Sequence, residues 1–278
     1  MLVLGFDTST PAVSVALHDG ERVISAACAV DARRHSELLA PMIAKVMADA
    51  GVARRDLSTV AVGVGPGPYT GLRVGVVTAR VLGSVLGLPT CGVCSLDVIA
   101  VAARGGMGPP PQAARAAPPP QAARTAPPPQ AARTAGLSPR AGTADPGREF
   151  LVATDARRKE VYWARYDATG RRVAGPAVGQ ASSIPGAADL AVAGAGGQLY
   201  PEAFGEVIGP AYPDAGVLCG IVARASAAPS PGQPPLLGRP RSPGQPPSPG
   251  QPPLLAVEPL YLRRPDAREP GPPKRVTP

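Results

Sequence analysis

Side chains of the types that catalyse proton transfer are scarce in this sequence. It contains two histidines, His18 and His35. His18 lies in an alternating apolar and polar run and is predicted to point outward near a hairpin. The run His35-Ser36-Glu37 has side chains suited to metal or hydrolase chemistry, but a lone histidine without a spaced partner is more typical of an exposed helix start. We therefore predict no catalytic residue and no metal site.

Two of the cysteines have a spacing that occurs in redox and zinc sites. The sequence has four cysteines, too few for a disulfide framework in a chain of 278 residues. Cys91 and Cys94 form a C-x-x-C pair, but they lie in an apolar, strand-like run with no second pair or histidine cluster. We predict a structural role for both.

The loop that begins at Gly65 invites comparison with a phosphate-binding loop. It lacks the Gly-Lys-Ser/Thr that completes a P-loop. Pro66 and Pro68 also remove two of the N–H donors that would hold an anion. Arg73, one turn into the following helix, is predicted either to contact a phosphate or a partner carboxylate, or to be an ordinary solvated side chain.

Two acidic residues lie where strands are predicted to end. Asp7 opens the run Asp7-Thr8-Ser9-Thr10, and a turn of this kind contacts the phosphates of ATP in actin-like and sugar-kinase ATPases. Asp155 opens a corresponding segment in the second half of the chain. The residues after Asp155 are alanine and arginines, not the glycines that a close phosphate approach needs. From the residues alone, the match to a nucleotide site is therefore weak.

The segment 65–83 is the most distinctive part of the chain. Gly71, Gly75, Ala79 and Gly83 recur every fourth residue, so on a helix they form one stripe of small side chains. Each glycine costs a helix about 1 kcal/mol relative to alanine. The stripe therefore predicts either close approach of another helix or a sheet, or a core helix with bulky neighbours.

The elements that position these residues are legible in residues 1–103. Apolar alternation and turn signals predict the order βββαβαβα, a mixed α/β unit that begins with an antiparallel meander. The predicted boundaries are strands at 2–6, 13–17, 22–30, 57–64 and 89–93, and helices at about 35–50, about 70–86 and 95–103 with Ser95 as N-cap.

A second set of elements follows in residues 149–228. Alternation predicts strands at 149–154, 161–166 and 190–194, a third strand beginning at 171, and a helix at 217–228. A flexible turn is predicted at 194–197, which could also imitate an adenosine loop. Residues 258–263 resemble a short edge strand.

Two segments differ from the rest in composition. A proline-rich unit of nine residues occurs three times within 104–148, and a Ser-Pro-Gly-Gln-Pro-Pro unit recurs within 229–255. We expect both to be disordered insertions. The net charge of +8 lies in 104–148 and 216–278, which each carry a net charge of +5. The basic pI of 9.8 therefore does not by itself indicate nucleic-acid binding.

The predicted organisation has five parts. These are an N-terminal subdomain (1–103), an insertion (104–148), a C-terminal subdomain (149–228), a second insertion (229–255) and a C-terminal segment with a basic tail (256–278). An acidic residue interrupts the first apolar run after six residues, and no apolar stretch has the roughly 18 residues of a membrane span. We expect a cytoplasmic protein without a membrane partner.

Several motifs, taken together and in order, resemble the bacterial TsaB (YeaZ) family. They are Asp7-Thr8-Ser9, Arg34-His35-Ser36-Glu37-Leu38-Leu39, Gly65-Pro-Gly-Pro-Tyr-Thr-Gly-Leu-Arg-Val-Gly75, Asp155-Ala-Arg-Arg-Lys-Glu-Val-Tyr162 and Pro259-Leu-Tyr-Leu-Arg263. The third motif is highly specific, although Pro68-Tyr69 stands where the family usually has serine and phenylalanine. The resemblance covers about 1–103, 149–228 and 256–264.

The resemblance implies an actin-like (ASKHA, ribonuclease H-like) α/β fold of two subdomains with mixed sheets, flanking helices and a degenerate nucleotide site. It implies a non-catalytic subunit of the machinery that adds threonylcarbamoyl to the adenosine beside the tRNA anticodon. The partner TsaD would carry the catalytic site, TsaE would be an ATPase, and tRNA would be contacted through the complex. No cofactor is implied beyond vestigial or interfacial ATP or ADP, for which Asp7, Thr8 and Ser9 are the weak candidates.

The same resemblance implies pairing with TsaD, or with a second copy, through the two helices of the first subdomain. The small-residue stripe would then permit close helix approach across that contact. The implied partner-binding residues are His35, Leu38, Leu39, Met42, Ile43, Val46, Tyr69, Thr70, Gly71, Leu72, Arg73, Gly75, Val76, Ala79 and Arg80. Two alternatives stay open: an actin-fold ATPase or small-molecule kinase that uses Asp7 and Asp155, and a peptidase-like remnant without a partner.

Overall fold

The computed structural model describes residues 1–105, 144–145, 147–227 and 252–263. Apart from residues 252–253, the two proline-rich arrays lie outside the described residues. The strands are β1 (Val3–Asp7), β2 (Ala12–His18), β3 (Val23–Val30), β4 (Thr59–Gly63), β5 (Thr90–Val93), β6 (Phe150–Asp155), β7 (Val161–Tyr166), β8 (Arg172–Gly179), β9 (Ala191–Ala193) and β10 (Glu206–Ile208). The α-helices are α1 (His35–Asp49), α2 (Tyr69–Leu86), α3 (Ser95–Ala103), α4 (Ala195–Leu199) and α5 (Ala215–Ala227).

The strands form two mixed sheets of five strands each, with the same topology. The first has the order β3-β2-β1-β4-β5, and the second has the order β8-β7-β6-β9-β10. In each sheet the first three strands in sequence form an antiparallel meander, and the next two add in parallel. The predicted α/β architecture of two subdomains with mixed sheets and flanking helices is confirmed.

The first sheet is covered on both faces, which explains why β1, β2 and β4 are buried throughout. Alternate residues of these strands, such as Leu4 and Phe6, pack against α1 and α2. The other alternate residues, such as Val3, point to the opposite face of the sheet and pack against α5. Gly5 lets α5 lie close to the sheet, because a Cβ added at this position would lie 2.3 Å from the Cys219 sulfur.

The two halves exchange helices. The helix α3 belongs to the first half in sequence, yet its Leu96 and Ile99 pack with Phe150 and Val152 of the second sheet. The helix α5 belongs to the second half and packs on the first sheet. The sequence boundaries near 103 and 149 therefore separate the sheets but not the hydrophobic cores, and each half supplies a helix to the other.

Four local predictions were wrong or incomplete. Cys94, not Ser95, is the N-cap of α3, because the Ser95 hydroxyl is used elsewhere. Residues 194–197 are not a flexible turn, because Gly194 is the N-cap and residues 195–197 are the first residues of the short helix α4. Residues 258–263 form no strand, and the only bridge near them within the described chain joins Leu255 to Gly92. The strand β10 was missed because three residues carry too little periodicity.

No helix in the described ranges is both long enough and apolar enough to cross a membrane.

Candidate functional site

Asp7 lies at the end of β1 and is sealed inside the protein. Its side chain is 1% exposed. One carboxylate oxygen accepts hydrogen bonds from the Ser9 amide and hydroxyl, both at 2.7 Å, and the other accepts from the Ser95 hydroxyl at 2.6 Å. The Ser95 oxygen in turn accepts from the Gly65 amide at 3.1 Å. Asp7 therefore fastens the glycine loop and the start of α3 to the first sheet.

This network argues against the weak cofactor role predicted for Asp7, Thr8 and Ser9. Burial raises the pKa of the Asp7 carboxyl, and the hydrogen bonds from Ser95 and Ser9 offset that rise only in part. Both oxygens have partners within the chain, and Ser9 is also 1% exposed. Thr8 is buried as well, and its hydroxyl donates to the Gly71 carbonyl at 2.8 Å.

A Mg²⁺-nucleotide, which an actin-like fold would accommodate, does not fit these residues. Its cation needs accessible oxygen ligands, whereas both Asp7 oxygens are engaged within the chain. Within the described residues no group of three or more acidic, histidine or cysteine side chains could hold a metal. The predicted degeneracy of the nucleotide site therefore has a physical basis in how Asp7 is used.

The small-residue stripe of α2 faces the sheet of its own chain. A Cβ added to Gly71 would lie 2.4 Å from the Thr8 carbonyl oxygen, and one added to Gly75 would lie 2.5 Å from the Thr8 hydroxyl. A Cβ at Gly83 would lie 2.3 Å from a Thr90 methyl carbon. The stripe thus lets α2 rest directly on the turn after β1, on β4 and on β5. Its assignment to a subunit contact was wrong.

The fifteen predicted partner-binding residues divide by burial. Nine of them are buried against the first sheet or between α1 and α2: Leu39, Met42, Ile43, Val46, Gly71, Leu72, Gly75, Val76 and Ala79. The other six are partly or fully exposed: His35, Leu38, Tyr69, Thr70, Arg73 and Arg80. The buried set is explained by the core of this chain, so only the second set is available to a partner in this conformation.

The exposed side of α2 carries an apolar row that the predicted partner set did not include. Val77, Val81 and Val85 are 51%, 54% and 76% exposed. Their spacing of four residues aligns them with Arg73 along one face of the helix. The signal was present in the sequence as a second i, i+4 series. It was missed because the prediction placed the small-residue row at the partner contact and did not assign the valine row to the opposite, exposed face of α2.

A cavity of about 230 Å³ lies beside the start of α1 and α2 and next to the turn after β6. His35 lines it and donates through Nε2 to the Thr10 carbonyl at 2.7 Å. Arg33 and Arg157 bring positive charge to it, while Asp155 accepts a hydrogen bond from the Arg157 amide at 2.7 Å. The structure thus brings His35, Thr8 and Asp155 to one cleft, but leaves Asp7 out of it.

The turn after β6 adopts an unusual backbone. Arg157, Arg158 and Lys159 have φ values of 62°, 55° and 61°, the left-handed region that favours glycine. The sequence predicted a connection between two strands here and lacks the glycines that a close phosphate approach needs. The chain makes the turn with three cationic residues instead, and the strain is offset by the β6–β7 ladder on both sides.

A buried polar cluster joins the two halves. Asp97 on α3 accepts hydrogen bonds from the Tyr166 hydroxyl at 2.7 Å and from Arg172 at 3.2 Å, across to β7 and β8. Burial raises the pKa of the Asp97 carboxyl against the opposing effect of Arg172 and Tyr166. These bonds, together with the exchanged helix α3, fix the second sheet relative to the first.

The histidines and cysteines have structural surroundings. His18 is 2% exposed, not outward as predicted, and its Nδ1 accepts from the Gly20 amide at 3.0 Å. All four cysteines are free. Burial raises the pKa of Cys94 to about 12, so its thiol stays protonated near neutral pH. Neither His18 nor His35 hydrogen-bonds to a serine or cysteine side chain.

The chain matches known proteins over most of its length. An uncharacterized protein of Mycobacterium tuberculosis is 37% identical over 273 residues, which cover 96% of this chain and 93% of that protein. The tRNA threonylcarbamoyladenosine biosynthesis protein TsaB of Bacillus subtilis is 35% identical over 104 residues, 37% of this chain and 45% of that protein. A model of the family "TsaD: tRNA N6-adenosine threonylcarbamoyltransferase" matches residues 28–116.

The solved structure of YeaZ from Pseudomonas aeruginosa is similar in both sequence and fold. It is 27% identical with a TM-score of 0.59, and the match covers 81% of this chain and 91% of that one. A second solved structure with the same figures is described as similar to peptidase YeaZ. The motifs at Asp7, His35, Gly65, Asp155 and the C-terminal segment, the paired five-stranded sheets and these likenesses agree: the chain belongs to the TsaB (YeaZ) family.

Proposed function

We propose that this protein is a non-catalytic subunit of the machinery that makes threonylcarbamoyladenosine in tRNA, and that it binds a TsaD protein through the exposed side of α1 and α2. The observation that carries the proposal is the exposed row of Val77, Val81 and Val85 on α2. An apolar row of this kind on the surface of a folded chain marks a protein contact. Relatives with TsaB in their names belong to threonylcarbamoyladenosine biosynthesis.

The proposed surface is continuous along α2. Tyr69 and Arg73 extend the valine row toward the start of the helix, and residues of this kind are enriched at the centres of protein interfaces. The exposed residues of α1, which packs next to α2, include the small side chains of Ala40 and Ala44. Small side chains on α1 and valines on α2 give a shallow apolar face onto which helices of a partner can pack.

A non-catalytic role agrees with the chemistry of the described residues. The two histidines are engaged with backbone groups, the buried cysteines keep their protons, and Asp7 is sealed. The catalytic residues would then lie on the TsaD partner, with TsaE joining as the ATPase and tRNA contacted through the assembly. The proposed site of action is the cytoplasm. In the absence of TsaD, a second copy of this chain would cover the same face.

The kinase and peptidase alternatives have less support. A kinase would need Asp7 at the cleft, but its oxygens are taken up by Ser9 and Ser95. A peptidase would need a nucleophile next to a base, and the described residues show no histidine bonded to a serine or cysteine side chain.

Co-expression with TsaD from the same organism tests the proposed contact. The variant Val81→Glu places a charge in the apolar face and should reduce co-purification with TsaD at least about tenfold, which corresponds to about 1.4 kcal/mol. The matched control is Val173→Glu, a change at a valine of similar exposure, 50% against 54%, on the second sheet. Equal recovery of both variants would contradict the proposed surface.

Two variants that would test a small-residue stripe at a subunit contact are unsuitable as tests of binding. Gly75→Leu would collide with Thr8, and Met42→Glu would place a charge at a position that is 9% exposed, so both should unfold the protein before they report on binding. A second experiment measures the formation of threonylcarbamoyladenosine by TsaD and TsaE with and without this chain. Unchanged formation of threonylcarbamoyladenosine without it would refute the activating role.

A further inference from the structure

The residues 252–263, which we call the C-terminal strap, lie against the first sheet. Gly92 and Leu255 exchange two backbone hydrogen bonds, at 2.9 and 2.8 Å, and the Leu260 amide donates to the Val64 carbonyl at 2.8 Å. Gly92 permits this approach, because an added Cβ would lie 2.5 Å from the Ala256 carbonyl oxygen. The strap is thus seated on β5 and the end of β4 by specific backbone contacts.

The strap then runs along α2. Arg80 donates to the Val257 carbonyl at 2.8 Å and lies 3.6 Å from the Glu258 carboxylate. Toward the start of the helix, the rings of Tyr69 and Tyr261 stack with centroids 5.0 Å apart. The strap therefore follows the helix from Arg80 back to Tyr69, beside the exposed apolar row.

At its far end the strap reaches the second half of the molecule. Arg263 donates to the Ala156 carbonyl at 3.0 Å and forms an ion pair with Glu160, both in the turn between β6 and β7. One short segment thus touches the first sheet, the α2 helix and the turn that borders the cleft. Tyr261 is held between these anchors.

Tyr69, Tyr261 and Arg73 form an exposed cluster at the end of the valine row. The two tyrosines are 43% and 40% exposed, although each contributes a large apolar ring. The Arg73 guanidinium lies 5.2 Å from the centre of the Tyr69 ring and donates to its hydroxyl at 3.0 Å. No carboxylate of the described residues pairs with Arg73. Its charge, together with the two exposed aromatic rings, is therefore available for contact with a partner.

We propose that the C-terminal strap forms part of the TsaD-binding surface and that Tyr261, with Tyr69 and Arg73, contacts the partner directly. The inference rests on the proposed function. Tyrosine and arginine are enriched among the residues that dominate binding energy, because they combine large rigid contact area with a polar group. The partner region that fits here is apolar opposite the valines and acidic opposite Arg73.

The test compares dissociation constants for TsaD among full-length variants. We expect Tyr261→Ala to weaken binding at least about tenfold. Tyr261→Phe, which keeps the ring, should bind within about threefold of the parent chain. Tyr200→Ala, a tyrosine truncation that removes packing on the core of the second half, controls for lost packing and, once shown by circular dichroism to be folded, should bind like the parent. Parent-like binding of Tyr261→Ala would overturn the inference.

A second measurement separates contact from loss of the strap. Hydrogen–deuterium exchange of the parent protein should slow in peptides spanning residues 255–263 when TsaD is added. Unchanged exchange there, with slowed exchange in α2, would show that the partner contacts the helix but not the strap. This result would overturn the strap inference and leave the proposed function standing. Absence of TsaD binding by the parent chain would instead overturn the proposed function. The parent and Val81→Glu therefore accompany every series.

Discussion

Replacement of Gly71 by alanine distinguishes a stripe that packs on its own sheet from a stripe that faces a partner. Gly71 lies in the first turn of α2, and its added Cβ would lie 2.4 Å from the Thr8 carbonyl oxygen. Carbon–oxygen contacts normally begin near 3.3 Å, so the helix would have to retreat by about 1 Å. That retreat would also stretch the 2.8 Å hydrogen bond from the Thr8 hydroxyl to the Gly71 carbonyl.

The magnitude follows from three contributions. Overpacking costs about 1–3 kcal/mol, and a strained hydrogen bond costs up to about 1 kcal/mol. Alanine returns at most about 1 kcal/mol of helix propensity. We therefore expect Gly71→Ala to lower the free energy of unfolding by about 1–3 kcal/mol and Tm by roughly 2–12 °C, from about 2–4 °C per kcal/mol in a domain of this size.

Urea unfolding of the isolated protein followed by circular dichroism measures the effect. The matched control is Gly179→Ala at the end of β8, where an added Cβ meets no atom within 4 Å. That variant should be as stable as the parent or slightly more stable, because alanine restricts the unfolded chain. Unchanged stability of Gly71→Ala together with weakened TsaD binding would refute the packing described for the stripe.

Three further predictions concern the buried polar networks. Ser95→Ala leaves Asp7 and the Gly65 amide each short of a partner, so the free energy of unfolding should fall by about 1–3 kcal/mol; a loss below about 0.5 kcal/mol would contradict the network. Burial raises the pKa of Asp7 in the folded state, so the folded protein holds this proton more tightly than the unfolded chain does. The stabilisation that results is fully present below the unfolded pKa near 3.9 and is lost as pH rises through the folded pKa. The stability difference between Asp7→Asn and the parent should therefore shift in favour of the variant as pH rises from about 4 toward neutral, and a difference independent of pH would contradict the raised pKa. Tyr166→Phe removes a donor from the buried Asp97 and should cost about 1.5–3 kcal/mol in urea unfolding; a neutral effect would mean that this bond does not tie the halves together.

The sequence predicted the order and type of elements well in the first half. Strands 2–6 and 89–93 and the helix at about 70–86 correspond closely to β1, β5 and α2. Alternation and glycine punctuation are local signals, and these elements are fixed by local pattern and burial together. The short β9 was predicted within 190–194, whereas β10 was missed. The residues of β10 pair with β9 at the edge of the sheet, so their strand conformation depends on a neighbouring strand.

The candidate site was harder to predict, because exposure is a property of the tertiary structure. Val76 and Val77 are neighbours in sequence with similar chemistry, yet one is 2% and the other 51% exposed. Asp7 has the residue type and position of a ligand-binding carboxylate. Its use was decided by Ser95, which is 88 residues away in sequence and donates to it at 2.6 Å.

The sequence alone determined the family, the α/β class and the unusual chemistry of the 65–83 segment, because these depend on residue types at short spacing. The tertiary structure alone decided which side of α2 is free. Packing of Gly71 and Gly75 on Thr8 consumes the small-residue side, and the valine side is left in solvent. It also brought Tyr261 beside Tyr69 from the far end of the chain, a contact that no local pattern encodes, since only folding closes that distance.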